Sequence, residues 1–136
     1  MLGTTHLLFS FLFGSFLFNY LSPPTLLGKI IFAALLLIGT FLPDLDLKIP
    51  ALKHRGIFHT IWPVLLVLVI NFFFIKYSIL ALAIGYGSHL IADSLTVFGV
   101  APIYPISKKR IRGPIKTGSF IEFCIAAVIL TFLLLH

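Results

Sequence analysis

The chain has 136 residues, of which 60% are hydrophobic and only 10% charged, and its mean hydropathy is +1.14. Soluble domains are about 45–50% apolar and about 25% charged, so this composition excludes an ordinary soluble domain, a disordered chain and a collagen-like fibre. The net charge of +6 would favour nucleic acid as the partner of a soluble protein. Here the bases lie between hydrophobic runs, so we expect membrane lipids and no nucleic acid as partners.

Five hydrophobic runs follow one another along the chain. They lack the alternation of barrel strands, and only helices and closed barrels cross a bilayer, so they predict helices. The fold class predicted is all-α: a polytopic membrane bundle of about five transmembrane helices, forming one integral membrane domain over residues 1–136. The runs are Leu7–Leu21, Leu26–Leu42, Ile57–Ile75, Ile79–Ile91 and Phe120–Leu135.

The first and fourth runs are short for a bilayer, which needs at least about 17 residues of helix. We expect them to extend over flanking polar residues, which puts His6, His89 and Asp93 at the membrane edge. Pro43 is expected to end the second run. Three small residues in the fourth run favour close approach between helices: Gly85, Gly87 and Ser88.

Basic residues are distributed unevenly between the two sides that five spans define. The side with the N-terminus and the two long loops carries eight of them: Lys48, Lys53, Arg55, Lys108, Lys109, Arg110, Arg112 and Lys116. The other side carries Lys29 and Lys76. The positive-inside rule then predicts a multi-pass protein of the cell (inner) membrane, with a cytoplasmic N-terminus and an extracytoplasmic C-terminus.

Nearly all other ionisable residues fall on the predicted cytoplasmic side. Ionisable groups at membrane depth are costly, so they are functional candidates. The set contains all four acids and four of the five histidines: His6, Asp44, Asp46, His54, His59, His89, Asp93 and Glu122.

Imidazole and carboxylate groups together favour a divalent metal, with zinc preferred and manganese or iron as alternatives. His89 and Asp93 are spaced i, i+4, which places them on one helix face. Asp44 and Asp46 are expected on a loop after Pro43. The number of donors exceeds the four of a structural zinc site, which indicates two or more ions, or one ion with a second layer of polar groups.

Each candidate also has a plainer interpretation. Taken alone, the two loop aspartates are favoured as polar helix-end residues, and His54 and Arg55 as residues that orient the chain in the membrane. His6 alone would be an interfacial residue, whereas Glu122 is favoured as a ligand over a snorkelling carboxylate. The basic run 108–112 could hold a phosphate, but lipid headgroups are the favoured partner. The gathering of all these residues on one side favours a shared metal site.

Short motifs across nearly the whole chain resemble the YdjM-like family of membrane-bound metal-dependent hydrolases. They are Thr5-His6, Leu42-Pro43-Asp44-Leu45-Asp46, the segment from His54 to Thr60, the segment from Gly85 to Ser94, Gly99-Val100, Tyr104-Pro105, and Thr117-Gly118-Ser119 ahead of Glu122. The family is in turn similar to zinc-dependent phospholipase C, an all-helical enzyme with a cluster of zinc ions.

The resemblance implies a hydrolase with one to three divalent ions, acting on a phosphoester or lipid-like substrate at the cytoplasmic face. The implied metal ligands are His6, Asp44, Asp46, His59, His89, Asp93 and Glu122. The implied catalytic residues are Asp44, Asp46, His54 and Arg55. The alternative is a membrane protein that binds metal without catalysis, as a carrier, a sensor or a structural element.

Overall fold

The computed structural model describes residues 1–21, 23–48, 56–74 and 77–135. Within these ranges the chain forms five α-helices and two 3₁₀ segments, which confirms the all-α prediction. The helices are α1 (Gly3–Leu21), α2 (Leu26–Phe41), α3 (Trp62–Phe74), α4 (Tyr77–Ser94) and α5 (Phe120–Leu135). The 3₁₀ segments are Leu42–Lys48 and Ile57–His59. The described residues form no extended strand. Their β-pairing is limited to two isolated bridges, both within the segment that connects α4 to α5.

The predicted helix boundaries are correct for α2 within one residue and for α5 at both ends. Helix α1 extends beyond its apolar run over His6, and α4, which contains His89, extends beyond its run over Asp93, as expected. The predicted start of the third helix at Ile57 is wrong. Residues 57–59 form a 3₁₀ segment, and α3 begins at Trp62 with Pro63 in its first turn, a position where proline fits a helix.

One described helical stretch, Leu26–Leu45, is long and apolar enough to cross a membrane, and the other apolar helices are shorter. The number of described α-helices agrees with the five helices predicted, whereas their crossing of a membrane about five times stays a prediction.

The bundle carries its apolar side chains outside and many of its polar ones inside. Large apolar residues such as Phe16, Leu66, Phe72 and Leu134 are exposed. The residues buried with almost no accessible surface include these polar ones: Thr5, His6, Ser10, Thr40, His59, Ser88, His89, Asp93, Thr96 and Glu122. Apolar surface in contact with lipid costs nothing, whereas a buried polar group needs a partner inside the protein. This distribution suits helices surrounded by hydrocarbon and locates polar chemistry within the bundle.

Helix α4 is the centre of the bundle, since it packs against α1, α2 and α3. Its crossing with α2 is so close that glycine is needed on both helices. A Cβ atom on Gly85 would lie 2.1 Å from the carbonyl oxygen of Leu36, and one on Gly39 would lie 2.2 Å from that of Leu82. Both obstacles are backbone atoms, which cannot rotate away as a side chain can. The small-residue prediction is thus confirmed for Gly85, whereas Gly87 meets nothing within 4 Å.

We therefore expect Gly85→Ala to destabilise the bundle, by about 1–3 kcal/mol as is typical of overpacking. Gly87→Ala on the same helix is the matched control, and it should be neutral or stabilising because alanine favours the helix by up to about 1 kcal/mol. Thermal unfolding of both variants in one detergent, followed by circular dichroism, measures the difference. A midpoint for Gly85→Ala at or above that of wild type would contradict the close crossing.

Candidate metal centre

His89 lies at the middle of a buried cluster of imidazoles and carboxylates. Its Nδ1 atom lies 2.8 Å from the carbonyl oxygen of Thr40. A carbonyl oxygen can only accept, so Nδ1 carries the proton and Nε2 keeps its lone pair. Nε2 is buried and has no hydrogen-bond partner among the described residues. A histidine held in this way by a backbone carbonyl is prepared to bind a metal through its other nitrogen.

A chain of hydrogen-bonded hydroxyl groups connects the three helices that pack around His89. The hydroxyl of Thr40, in α2, donates to that of Ser10 in α1 at 2.6 Å. The hydroxyl of Ser10 in turn lies 2.6 Å from that of Ser88, the neighbour of His89 in α4. All three residues are buried. These contacts join α1, α2 and α4 directly beside the imidazole, so they set its position.

Asp93 faces the histidines of the cluster with both of its carboxylate oxygens. Its Oδ1 atom lies 3.4 Å from Nε2 of His6 and 2.8 Å from the N-terminal ammonium of Met1. Its Oδ2 atom lies 3.7 Å from Nε2 of His59 and 3.9 Å from Nε2 of His89. The i, i+4 spacing in α4 therefore brings His89 and Asp93 to one face, and α1 supplies His6 against them. The rings of His6 and His89 stack with centroids 3.9 Å apart.

The two 3₁₀ segments supply the remaining donors. Oδ1 of Asp44, in the first segment, lies 3.5 Å from Nε2 of His59 and 3.6 Å from Nε2 of His89. His59 ends the second segment, which the hydroxyl of Tyr86 holds by donating to the carbonyl oxygen of Phe58. The side chain of Asp44 is 32% exposed, whereas those of the other donors are at most 4% exposed. Asp44 is thus the donor that solvent reaches.

The separations within this cluster fit a metal ion better than direct hydrogen bonds. The histidine–carboxylate distances run from 3.4 to 3.9 Å, whereas N–H···O bonds are about 2.7–3.2 Å. Ligands about 2.0–2.1 Å from a tetrahedral zinc lie about 3.3 Å from one another. In each of two groups of three donors, the atoms that could bind an ion lie within 4.8 Å of one another. The groups are His6, His89 and Asp93, and Asp44, His59 and His89. The residues present therefore fit a divalent transition metal.

The two groups share His89, and this limits how they can be used. Nδ1 of His89 is engaged by Thr40, and Nε2 has a single lone pair, so His89 serves one ion. An ion bound by one group therefore leaves the other group without its shared imidazole. A second ion would have to bind without His89, between Asp44, His59 and Oδ2 of Asp93.

The model of a family described as YdjM inner membrane protein matches residues 1–135. The chain belongs to the YdjM inner membrane protein family. No curated protein and no solved structure matches it significantly. Membership of the family identifies the chain as an inner membrane protein, in agreement with its apolar outer surface.

The structure brings together five of the residues predicted for the metal site in this YdjM protein: His6, Asp44, His59, His89 and Asp93. The side chain of Asp46 lies outside the described part of the chain, as do His54 and Arg55. Asp44 and Asp46 were expected on an irregular loop, and this is wrong: both belong to a 3₁₀ segment. The helical turn continues past Pro43 because proline suits the start of a helical segment.

Glu122 belongs to neither group of donors. It is fully buried in the first turn of α5. Its Oε1 accepts from the backbone N–H of Leu2 at 2.6 Å, and its Oε2 accepts from that of Gly118 at 2.7 Å. In this structure Glu122 joins the N-terminal segment to α5, next to the residues that carry His6.

Sequence reasoning missed the carbonyl of Thr40 and the hydroxyls of Ser10 and Thr40. A backbone carbonyl has no residue signature, but serine and threonine in apolar helices are a signal that polar groups meet there. An apolar cavity of about 580 Å³ lies elsewhere, between α1, α2 and α5, with Phe11, Phe18, Phe32 and Phe132 in its lining. It has no titratable lining residue, so the chemistry belongs to the donor cluster.

Proposed function

We propose that this chain is a metal-dependent hydrolase of the inner membrane that cleaves a phosphoester of a lipid or lipid-like substrate at the cytoplasmic face. The observation that carries the proposal is the set of three histidines and two aspartates, four of them buried, whose imidazole–carboxylate separations run from 3.4 to 3.9 Å. Three of these donors lie next to one another at the ends of α1 and α4, and two lie on the adjoining 3₁₀ segments.

His6, His89 and Asp93 would hold the principal ion, and His59 and Asp44 would complete its surroundings or hold a second ion. Zinc is favoured because the donors are nitrogen and carboxylate oxygen without thiolate, and manganese and iron are alternatives. When bound, such an ion would polarise a phosphoryl oxygen and lower the pKa of a water molecule to about 7. The Thr40 carbonyl keeps His89 in the one tautomer that can bind it.

Asp44 is proposed as the general base. Its carboxylate lies within the cluster and is also the donor that solvent reaches, so a substrate and an attacking water can approach it. A carboxylate at this position can accept the proton of the water as the phosphoester is attacked. The buried partners His59 and His89 hold one carboxylate oxygen, Oδ1, at 3.5 and 3.6 Å and so restrict its orientation.

The substrate class follows from the location of the cluster. The donors lie at one end of helices whose outer faces are apolar, and in the proposed topology this end lies at the depth of the lipid headgroups. Eight of the ten lysines and arginines fall on this side of the proposed five-span topology, which makes it the cytoplasmic side and places the C-terminus outside. A transporter would need its ligands near the bilayer midplane, with access from both sides.

A second candidate function is structural: the protein would bind a metal ion that joins its helices, without catalysis. One observation favours it: four of the five donors are at most 4% exposed, and they join α1, α4 and a 3₁₀ segment as a structural ion would. Structural sites are closed, whereas catalytic sites keep one position open. The exposure of Asp44 is the feature that favours catalysis.

Inverted and right-side-out membrane vesicles test both the activity and the side of the membrane on which the metal site lies. We expect the protein to carry at least one divalent ion per chain, held by His89 and its neighbouring donors. A membrane-impermeant chelator should strip this ion, and stop phospholipid phosphoester turnover, in inverted vesicles only. Elemental analysis and release of the phosphorylated headgroup are the two measurements. Retained metal without turnover would favour the structural ion, and loss of metal from right-side-out vesicles would contradict the topology.

A further inference from the structure

The segment between α4 and α5, residues 95–119, is folded although it contains no helix. Val100 and Ile111 exchange two backbone hydrogen bonds, and Val97 donates to the carbonyl of Ile115 at 3.0 Å. Gly99 adopts a φ of 63°, and a Cβ there would lie 2.1 Å from the carbonyl oxygen of Ile111. We name this segment the α4–α5 loop.

The α4–α5 loop is attached to the helix bundle from both ends and at its middle. It begins directly after Ser94, at the end of the helix that carries Asp93, and it ends directly before Phe120, where α5 begins. Midway, the carbonyl of Pro102 accepts from the backbone of Ile61 at 2.9 Å. The carbonyl of Tyr104 accepts from Nε1 of Trp62 at 2.8 Å. The loop is therefore held at the same end of the bundle as the metal donors.

The two sides of the loop differ in composition. Its buried side chains are small or apolar, and include Thr96, Val100, Ala101 and Ile115. Its exposed side carries large apolar residues: Val97, Phe98, Ile103, Ile106 and Ile111, with Phe98 62% and Ile106 76% exposed. Exposed apolar side chains gathered in one loop mark a surface that contacts a partner or a membrane.

Charge decides which partner suits this surface. The loop contains five bases and no aspartate or glutamate. Four of the bases are exposed, and Arg110 is partly buried with its guanidinium donating to the carbonyl of Phe98 at 3.2 Å. The bases are Lys108, Lys109, Arg110, Arg112 and Lys116. Bases interleaved with exposed apolar side chains complement a layer of anionic headgroups above hydrocarbon.

We propose that the α4–α5 loop is a binding surface for anionic phospholipids, in which Phe98 and Ile106 enter the headgroup–acyl boundary and the bases bind the phosphates. The occupant is the bilayer that surrounds the chain. Because the loop adjoins Asp93, this surface gathers anionic lipid beside the donor cluster. The inference needs the membrane location of the chain but not the hydrolase activity, so the two can fail separately.

Lipid selectivity of the full chain in phosphatidylcholine vesicles tests the proposal. Spin-labelled phosphatidylglycerol and phosphatidylcholine report, by electron paramagnetic resonance, how strongly the protein restricts each lipid. We expect wild type to prefer phosphatidylglycerol, and Lys108→Gln with Lys109→Gln to reduce that preference by up to about twenty-fivefold, since each surface base adds up to about fivefold. The matched control is Lys29→Gln with Lys76→Gln, two bases of the opposite predicted side, which should keep the preference.

Wild type alone supplies a second test that does not depend on a variant's folding. Raising the salt to 1 M shortens the Debye length to about 3 Å and should remove most of the preference. Trp62 is the sole tryptophan and contacts the loop, so its quenching by lipids brominated near the headgroup should fall in Phe98→Ser with Ile106→Ser. An unchanged preference in the lysine variant, an equal loss in the control, or no preference in wild type at low salt would each overturn the proposal.

Discussion

His89→Ala is expected to release the proposed metal ion, with a loss of affinity of more than about a hundredfold, because even outer-layer partners of a ligand contribute about tenfold to a hundredfold. His89 belongs to both groups of donors, and its Nε2 is the atom around which the carboxylates of Asp44 and Asp93 lie. No other described residue is shared by the two groups. Elemental analysis of the purified variant after dialysis against a dilute metal buffer measures the effect.

His136→Ala is the matched control for this experiment, since His136 is the one histidine predicted on the opposite side of the membrane. It should keep the full metal content. Circular dichroism establishes that His89→Ala still contains its helices, because a collapse of the bundle would also release the ion. If folded His89→Ala protein binds metal as wild type does, His89 is not the central ligand, and neither group of donors is the metal site.

Hydrophobic runs predicted most of the helical architecture because burial in lipid depends on composition. The ends of α2 and α5 follow directly from the runs Leu26–Leu42 and Phe120–Leu135. The start of α3 could not be found in this way, since Ile57, Phe58 and Ile61 continue the apolar run of the helix that follows. What separates them is the placement of His59 against α4 and of Pro63 in the first turn of the helix, and these depend on packing and backbone geometry.

For the candidate site too, the sequence predicts some of the contacts between residues and not others. The pairing of His89 with Asp93 is predictable because i, i+4 spacing is local to a helix. The approach of His6 and Asp44 depends on how α1 and the first 3₁₀ segment pack on α4, which no local pattern encodes. Glu122 illustrates the limit: an acid in an apolar helix predicts a buried partner, but not that the partners are the backbone N–H groups of Leu2 and Gly118.

Two aspartates of the cluster should respond differently to the same substitution. Asp93 lies against His6 on one oxygen and against His59 and His89 on the other, so Asp93→Asn should lower metal content and phosphoester turnover together. Asp44 belongs to one group only and reaches solvent, so Asp44→Asn should keep the ion held by His6, His89 and Asp93. It should nevertheless lose turnover by about a hundredfold to ten-thousandfold, the usual contribution of a general base.

Metal content and turnover of both variants in one detergent decide between a base and a ligand at Asp44. Asparagine keeps the shape of the side chain and can still accept hydrogen bonds, but it cannot take up a proton at neutral pH. Lost turnover with the ion retained therefore identifies a proton acceptor. Asp46→Asn, two residues along the same 3₁₀ segment, tests the other aspartate implied as catalytic, and it should leave turnover nearer to wild type when Asp44 is the base. If turnover follows metal content in Asp44→Asn as it does in Asp93→Asn, Asp44 is a ligand and the base must be sought elsewhere. If Asp46→Asn alone keeps the ion and loses turnover, that base is Asp46.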